Sequence, residues 1–330
     1  MDDSCFDLLC IGNALVDVFA NDGGLSLRYG IRDPVQHVSI KKLKNILAAL
    51  GEKTLVSGGG AANVAKISGR LGAKVCFIGA LGDDDFGRLF EKELASAGVK
   101  LLLHKKLSPT GIYLMLREES GQTRIAASPS AAYELSESDI SGEEPKKARV
   151  VLVDGFMMDR LPLVRRILDT AYNCGASCAI DLSSVSIARE YATELADFAE
   201  KYPLILFMNE AEAEVFSGEL KKERPEAELT HALQRIFLEL SFAQEPKEEN
   251  NKLKQKFPVV VVTLGSQGAV CYSEGKTCRA ETQKIDARVT TGAGDAFCAG
   301  FLGAWTQNKS ICECAALGNE ASRIVLDTIR

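Results

Sequence analysis

Short apolar runs rich in valine and isoleucine recur along the chain, each followed by a longer amphipathic segment. The runs are Phe6–Gly12, Lys74–Gly79, Arg149–Asp154, Ser177–Leu182, Leu204–Asn209 and Pro258–Leu264. They lack the polar alternation of a strand wetted on one side, so they read as strands buried on both faces. Helical periodicity fills the gaps at Gly60–Leu71, Phe86–Ala97, Leu161–Asn173 and Ile187–Lys201. Such an alternation predicts an α/β fold, with a doubly wound, mostly parallel sheet covered on both faces. Two stretches break the rhythm. Residues 17–39 contain Gly23-Gly24 and Asp33-Pro34 and no long helix. Residues 107–130 alternate around Tyr113, Met115 and Arg117 and turn at Ser120-Gly121. They read as β-ribbons forming a small lid on a single α/β domain that spans residues 1–330.

With 46% hydrophobic and 25% charged residues, 330 residues can bury a large core. A net charge of −6 disfavours a nucleic-acid partner, which needs a basic face. No apolar run reaches membrane-spanning length. The opening MDDSCFDLLCIGN has acids where a secretory signal carries positive charge, so a cytoplasmic location is expected. Ten scattered cysteines lack zinc-site spacing and read as buried thiols of a reducing compartment. The charged stretch 220–256 has a helical middle (Leu229, Leu233, Ile236, Phe237) and a loop at 244–255, with no chemistry assigned.

The strongest local signal is Thr290-Thr291-Gly292-Ala293-Gly294-Asp295-Ala296-Phe297, ahead of the apolar helix Cys298–Trp305. Small residues at a helix start expose backbone N–H groups to an anion. Asp295 would repel that anion if binding were its only task, so it reads as a base for an attacking hydroxyl. The plainer alternative is a carboxylate that complements the helix dipole. Upstream, Thr263, Gly265 and Gly268 follow a buried strand, in positions suited to phosphate contacts or to an ordinary strand exit. Asn209 and Glu212 share a face of an opening helix, where they would order water around a Mg²⁺–phosphate complex or simply cap the helix. Gly275-Lys276-Thr277 is no P-loop, because the required earlier glycine position is Val270.

The first strand leads into Gly12-Asn13-Ala14-Leu15-Val16-Asp17, which places Asp17 at the C-terminal sheet edge where a carboxylate can read a diol. Gly58-Gly59-Gly60-Ala61-Ala62-Asn63 then opens a helix. Its glycines admit a polar ligand, and Asn63 both donates and accepts. A turn carboxylate and a tight turn are the alternatives. Asp83-Asp84-Asp85 reads as helix capping.

Taken in order, these segments resemble the ribokinase or PfkB-type carbohydrate kinase family, over essentially the whole chain. The glycine segment with Gly72, Gly79 and Gly82 is similar to the family's N-terminal signature, and TTGAGDAFCAGF to its C-terminal one. The resemblance implies a ribokinase-like fold and ATP-dependent phosphoryl transfer to a hydroxymethyl group, with Mg²⁺ accompanying ATP. It implies Asp295 as catalytic base, Gly292, Ala293 and Gly294 as anion hole, and Asn209, Thr263, Gly265 and Asn319 as ATP contacts. Glu212 would act on Mg²⁺ through water, and Asn13, Asp17, Gly59 and Asn63 would hold the acceptor. Val289 stands where many members have an aspartate that helps bind a monovalent cation. Potassium activation is therefore not expected unless Asp286 or carbonyls substitute.

The layout is closest to the adenosine-kinase-like branch, by GNxLxD and the runs Asp154-Gly155-Phe156 and Asp181-Leu182-Ser183. That branch stacks the acceptor's adenine on aromatics just after these runs, where Met157 and Ser186 align. A small sugar is therefore the expected acceptor, with adenosine or another nucleoside as the alternative and Phe156 and Tyr113 as compensating rings. A non-catalytic ligand sensor on the same fold is a second alternative. The lid offers an edge for a homodimer.

Overall fold

The computed structural model describes residues 5–241, 258–283 and 292–328. The strands are β1 (Phe6–Ile11), β2 (Leu15–Asn21), β3 (Val35–His37), β4 (Thr54–Gly58), β5 (Val75–Gly82), β6 (Lys100–Lys106), β7 (Gly111–Arg117), β8 (Thr123–Ser128), β9 (Ala148–Asp154), β10 (Ser177–Asp181), β11 (Leu204–Asn209), β12 (Val259–Thr263), β13 (Ala269–Ser273) and β14 (Lys276–Ala280). The helices are α1 (Leu25–Arg28), α2 (Ile40–Ala49), α3 (Gly60–Arg70), α4 (Asp85–Ser96), α5 (Leu161–Asn173), α6 (Val185–Glu190), α7 (Ala192–Lys201), α8 (Glu210–Glu223), α9 (Glu228–Ser241), α10 (Ala293–Trp305) and α11 (Ile311–Thr328).

Nine strands form the main sheet in the order β14-β13-β12-β11-β10-β9-β1-β5-β6. Every pairing from β12 to β6 is parallel, and only β13 runs against its neighbours. Two apolar cores flank it. One packs α5, α7, α8 and α9 residues such as Ile167, Phe198, Phe216 and Ile236 against one face. The other packs Ala65, Phe90, Phe301 and Ala315 from α3, α4, α10 and α11 against the opposite face. That explains the unalternating apolar strands, because both faces of each are covered. β1 sits between β9 and β5, so the chain winds away from it in both directions. The crevice at the C-terminal ends of such strands is where these sheets bind ligands.

A second sheet, β3-β8-β7-β2-β4, has its own core of Val16, Val18, Leu43, Ile46, Ile112 and Leu114. It takes in β4 and is covered by α2, both outside the two stretches singled out from sequence. The alternation in β2 and β7 sends Val16, Val18, Ile112 and Leu114 into this core and turns Asp17 and Tyr113 to the other face. Asp17 thus belongs to the second sheet, not to the exit of β1. Two main-sheet features also differ from expectation. β6 is an edge strand whose run ends in His104-Lys105-Lys106, a charged end that masked it. The helix expected over 187–201 is divided at Tyr191, which closes α6 and opens α7.

The cysteine reading needs correction. Cys278 of β14 and Cys312 of α11 form a disulfide across a Cα–Cα separation of 5.7 Å. They are 34 residues apart, and only the packing of α11 on β13 and β14 brings them together. Cys10, Cys76, Cys178, Cys271, Cys298 and Cys314 are buried thiols as expected. Among the described residues no helix is long and apolar enough to cross a membrane. The loop at 244–255, together with Asp286, Val289, Thr290 and Thr291, lies outside the described residues.

Candidate active site

Strand ends and one helix start converge at the C-terminal edge of the main sheet. Gly292 caps α10 with a left-handed φ of 85°, and Asp295 follows in the first turn. Its side chain makes no cap. Instead Oδ2 accepts a 3.0 Å hydrogen bond from Asn63 Nδ2 of α3, across 232 residues of sequence. That bond favours the functional reading of Asp295 over the dipole reading.

Around Asp295 lies a cavity of about 230 Å³ bounded by Asp181, Ser183, Asn209, Glu212, Thr263 and Gly292. A neighbouring cavity of about 190 Å³ is lined by Gly265, Gly268, Thr282, Phe297, Asn319 and Arg323, among others. Thr263, Gly294 and Phe297 line both, so the two form one groove. Asn209 and Glu212 cap α8, the plainer of their two readings. Asn209 Oδ1 accepts from the Glu212 amide at 2.9 Å, and Glu212 Oε2 accepts from the Asn209 amide at 3.0 Å. This reciprocal cap fixes both side chains on the cavity wall. Asn319 donates through Nδ2 to the carbonyls of Ala280 and Glu281, tying α11 to the exit of β14. The Cys278–Cys312 bridge joins the same two elements.

The opposite wall is built from side chains. Asp17 and Tyr113 face each other in register on β2 and β7. Asp17 leaves no room beside it, since a Cβ at Gly58 would fall 2.3 Å from its carboxyl group. Gly59 has φ +102°, and a Cβ there would meet the Asn13 carbonyl oxygen at 2.1 Å. Asn13 is buried and accepts through Oδ1 from the Arg160 guanidinium at 2.8 Å. Arg160 also lies 5.1 Å from the centre of the Tyr133 ring. Lys66 donates to Ser57 Oγ and pairs with Glu93, holding the β4–α3 junction from behind.

The electrostatics follow from this crowding. Burial pushes Asp295 up to about 7. The Asn63 hydrogen bond lowers it, the Asp154 and Asp17 carboxylates raise it, and Lys66 lowers it. Burial lifts Asp17 to about 6 against the pull of Lys66. Asp181 is raised well above the usual carboxylate range, by burial and then by Asp295, Glu212 and Asp154. Glu212 is raised by burial, against the hydrogen bonds of Asn209. A carboxylate titrating near neutrality beside a helix start suits proton abstraction.

The residues singled out from sequence therefore fall on one crevice. Gly292, Ala293, Gly294, Asp295, Asn209, Glu212, Thr263, Gly265 and Asn319 line the groove or its wall. Asn13, Asp17, Gly59 and Asn63 gather on the opposite side. Asp154, Asp181, Lys66, Tyr133 and Arg160 were not identified as site residues. A carboxylate ending a buried strand was the available signal for Asp154 and Asp181, whereas the others depend on tertiary packing alone. Met157 is wholly buried in the core, and Ser186 is exposed beside Ser184. Neither presents an aromatic face.

Known proteins resemble this chain over most of its length. The family described as pfkB family carbohydrate kinase matches residues 8–329. The chain is 26% identical over 273 residues to the ribokinase of Haemophilus influenzae, covering 81% of this chain and 80% of that protein. It is 25% identical over 350 residues to the adenosine kinase of Schizophyllum commune, covering 99% and 96%. The crystal structure of adenosine kinase from Sinorhizobium meliloti superposes with a TM-score of 0.78 at 25% identity, covering 98% of this chain and 94% of that one. The chain belongs to the pfkB family of carbohydrate kinases. It has their ribokinase-like fold and is an ATP-dependent kinase.

Proposed function

We propose that this kinase moves the γ-phosphoryl group of Mg-ATP to a hydroxymethyl group of a small sugar. The observation that carries the reading is Asp295, held by Asn63 where the nucleotide groove meets the wall bearing Asp17. The purine of ATP would occupy the cavity beside Phe297 and Asn319, and its phosphates the cavity beside Asn209, Glu212 and Thr263. Amides of Gly292, Ala293 and Gly294 at the start of α10 would receive the transferred group. Asp295 would take the proton of the acceptor hydroxyl as its oxygen attacks the γ-phosphorus. ADP then leaves, and the proton passes to solvent. Asn63 orients the carboxylate, and Asp17 would hold two acceptor hydroxyls, with Asn13 and Gly59 fixing the turn beneath.

The facing carboxylates Glu212 and Asp181 suit Mg²⁺, which binds through one or two carboxylates, water and phosphates. Bound with ATP, Mg²⁺ would supply charge neutralisation for the phosphates. The second sheet would act as a lid that keeps water from the phosphoryl group. Its edges at β3 and β4 are open to a second subunit, which light scattering on the purified protein tests.

Sugar is favoured over nucleoside because the positions aligned with the base-stacking rings hold a core methionine and an exposed serine. Tyr113 and Phe156 favour the nucleoside reading, as does the near-complete coverage by an adenosine kinase relative. Measuring ADP release with Mg-ATP against fructose, ribose, 2-keto-3-deoxygluconate, adenosine, inosine and cytidine separates the two. Turnover of a sugar is expected. Turnover of nucleosides alone would replace the sugar reading, and no turnover with ATP bound would favour a sensor.

A further inference from the structure

At the end of the main sheet away from the crevice, β1, β5 and β9 begin and α3 and α10 finish. A cavity of about 390 Å³ opens there, lined by Asp7, Ser68, Arg149, Gly303, Thr306 and Glu320, among others. It is larger than either cavity of the catalytic groove, of about 230 and 190 Å³, and shares no lining residue with them. Its size is that of a small-molecule site. Helix α11 stands between: Asn319, Ser322 and Arg323 line the cavity beside Phe297, and Leu317, Glu320 and Ile324 line this one. Leu71, Leu317 and Ile324 leave large apolar surface exposed around it. Ser68 on its wall is 2% exposed, and the hydroxyl has no hydrogen-bond partner among the described residues. Helical serines commonly bond the carbonyl one turn earlier, and this one does not. A buried hydroxyl left unsatisfied on a cavity wall is a group that a bound molecule completes. Gly303 looks onto open space, since a Cβ there would meet nothing within 4 Å.

The charge of the wall decides what can enter. Asp7 and Glu320 supply two carboxylates, and α3 and α10 both end here, at the negative ends of their dipoles. Arg149 is the one cation on the wall among the described residues, and it is already engaged. Its Nη1 donates to the Thr306 carbonyl at 3.0 Å, and its Nε lies 3.8 Å from Asp7 Oδ1. We propose that this cavity is a second ligand site, for a small organic amine. The apolar body would lie among Leu71, Leu317 and Ile324 with one hydrogen bond to Ser68, and the cationic head would face Asp7 and Glu320. An anion of the same size would meet two carboxylates and two helix C-termini. The site adjoins the catalytic groove only through shared elements, among them α3 and α10, whose opposite ends carry Asn63 and Asp295.

Isothermal titration calorimetry with tryptamine, tryptophol and indole-3-acetate tests this, because the three share a ring and differ in the charge of the head. Tryptamine is expected to bind, with a Kd unchanged by saturating Mg-ADP. Tryptophol should bind about 3–10-fold more weakly, and indole-3-acetate more weakly still. Gly303→Leu fills the cavity with a residue that suits a helix better than glycine. The fold should therefore hold while tryptamine binding weakens by about 10-fold or more. Ser68→Ala separates a ligand contact from a structural one. Removing an unpartnered buried hydroxyl should keep or raise the thermal midpoint, yet weaken tryptamine by about 3–10-fold. The proposal is overturned if tryptamine does not bind, if Mg-ADP displaces it, or if the three heads bind alike. It is overturned equally if either Gly303→Leu or Ser68→Ala leaves the Kd for tryptamine unchanged.

Discussion

The two sides of the crevice are built from different materials. The side proposed for the nucleotide is built at the ends of β11 and β12 and the start of α10, where backbone groups lie open at a helix start and Asn209, Glu212 and Asp295 are set by helix geometry. The side proposed for the acceptor is an array of side chains, Asp17, Tyr113 and Arg160, carried by the second sheet and the turn after β9. Backbone amides recognise phosphate whatever is attached to it, so one such arrangement serves any ATP-dependent relative. Side chains on separate elements can be exchanged one at a time, which is how a shared fold acquires different acceptors.

The sharpest way to break this contrast is to remove the group on which both sides converge. Asp295→Asn keeps the shape and the contact with Asn63 but cannot take a proton. Its kcat is expected to fall by about 10³-fold, with ATP affinity within about 3-fold of the unaltered protein. Equal losses in binding and turnover would make Asp295 part of the ATP site instead of the base.

Next in size is a difference in how the two sides are tied down. The Cys278–Cys312 bridge staples β14 to α11 beside the nucleotide cavity, and the acceptor wall has no covalent counterpart among the described residues. Closing a loop across 34 residues constrains the unfolded chain by about 3–4 kcal/mol. Cys312→Ser should lower the urea midpoint accordingly and raise the KM for ATP more than that for the acceptor. An unchanged midpoint would show that the bridge contributes nothing to the fold. Smaller still is Asp17→Ala, expected to raise acceptor KM by about 10–100-fold and to leave ATP KM unchanged. If ATP KM rises in parallel, the two sides are not separable.

The same contrast decides what was legible in the sequence. The buried strands and the Gly292–Asp295 helix start could be read because each is a contiguous segment whose pattern reflects local physics. The second sheet was read in outline from 17–39 and 107–130. Its membership was not, because β2 pairs with β7 and β4 across long stretches of chain, and nothing local marks β4 as a partner. Asp17 was read both at the exit of the first strand and at the start of the ribbon 17–39, and it lies on the ribbon, in β2. Asp154 and Asp181 carried a signal in their position at strand ends, whereas Arg160 and Lys66 look like ordinary surface cations until the fold buries them. The disulfide was invisible in the same way, since its two cysteines meet only through helix packing.

The ionisation of Asp295 links the two sides, because its carboxyl is lifted to about 7 by burial in the groove and by the acceptor-side carboxylates Asp154 and Asp17. The base must be deprotonated to act, so activity is present above that value and lost below it. The measurement that tests this most directly is kcat/KM for the preferred acceptor from pH 5 to 9 at saturating Mg-ATP. A plateau above pH 7 is expected, with a fall of about tenfold per pH unit below it that steepens as Asp17 protonates near 6. A profile flat from pH 5 to 8 would contradict the assignment of Asp295 as the base.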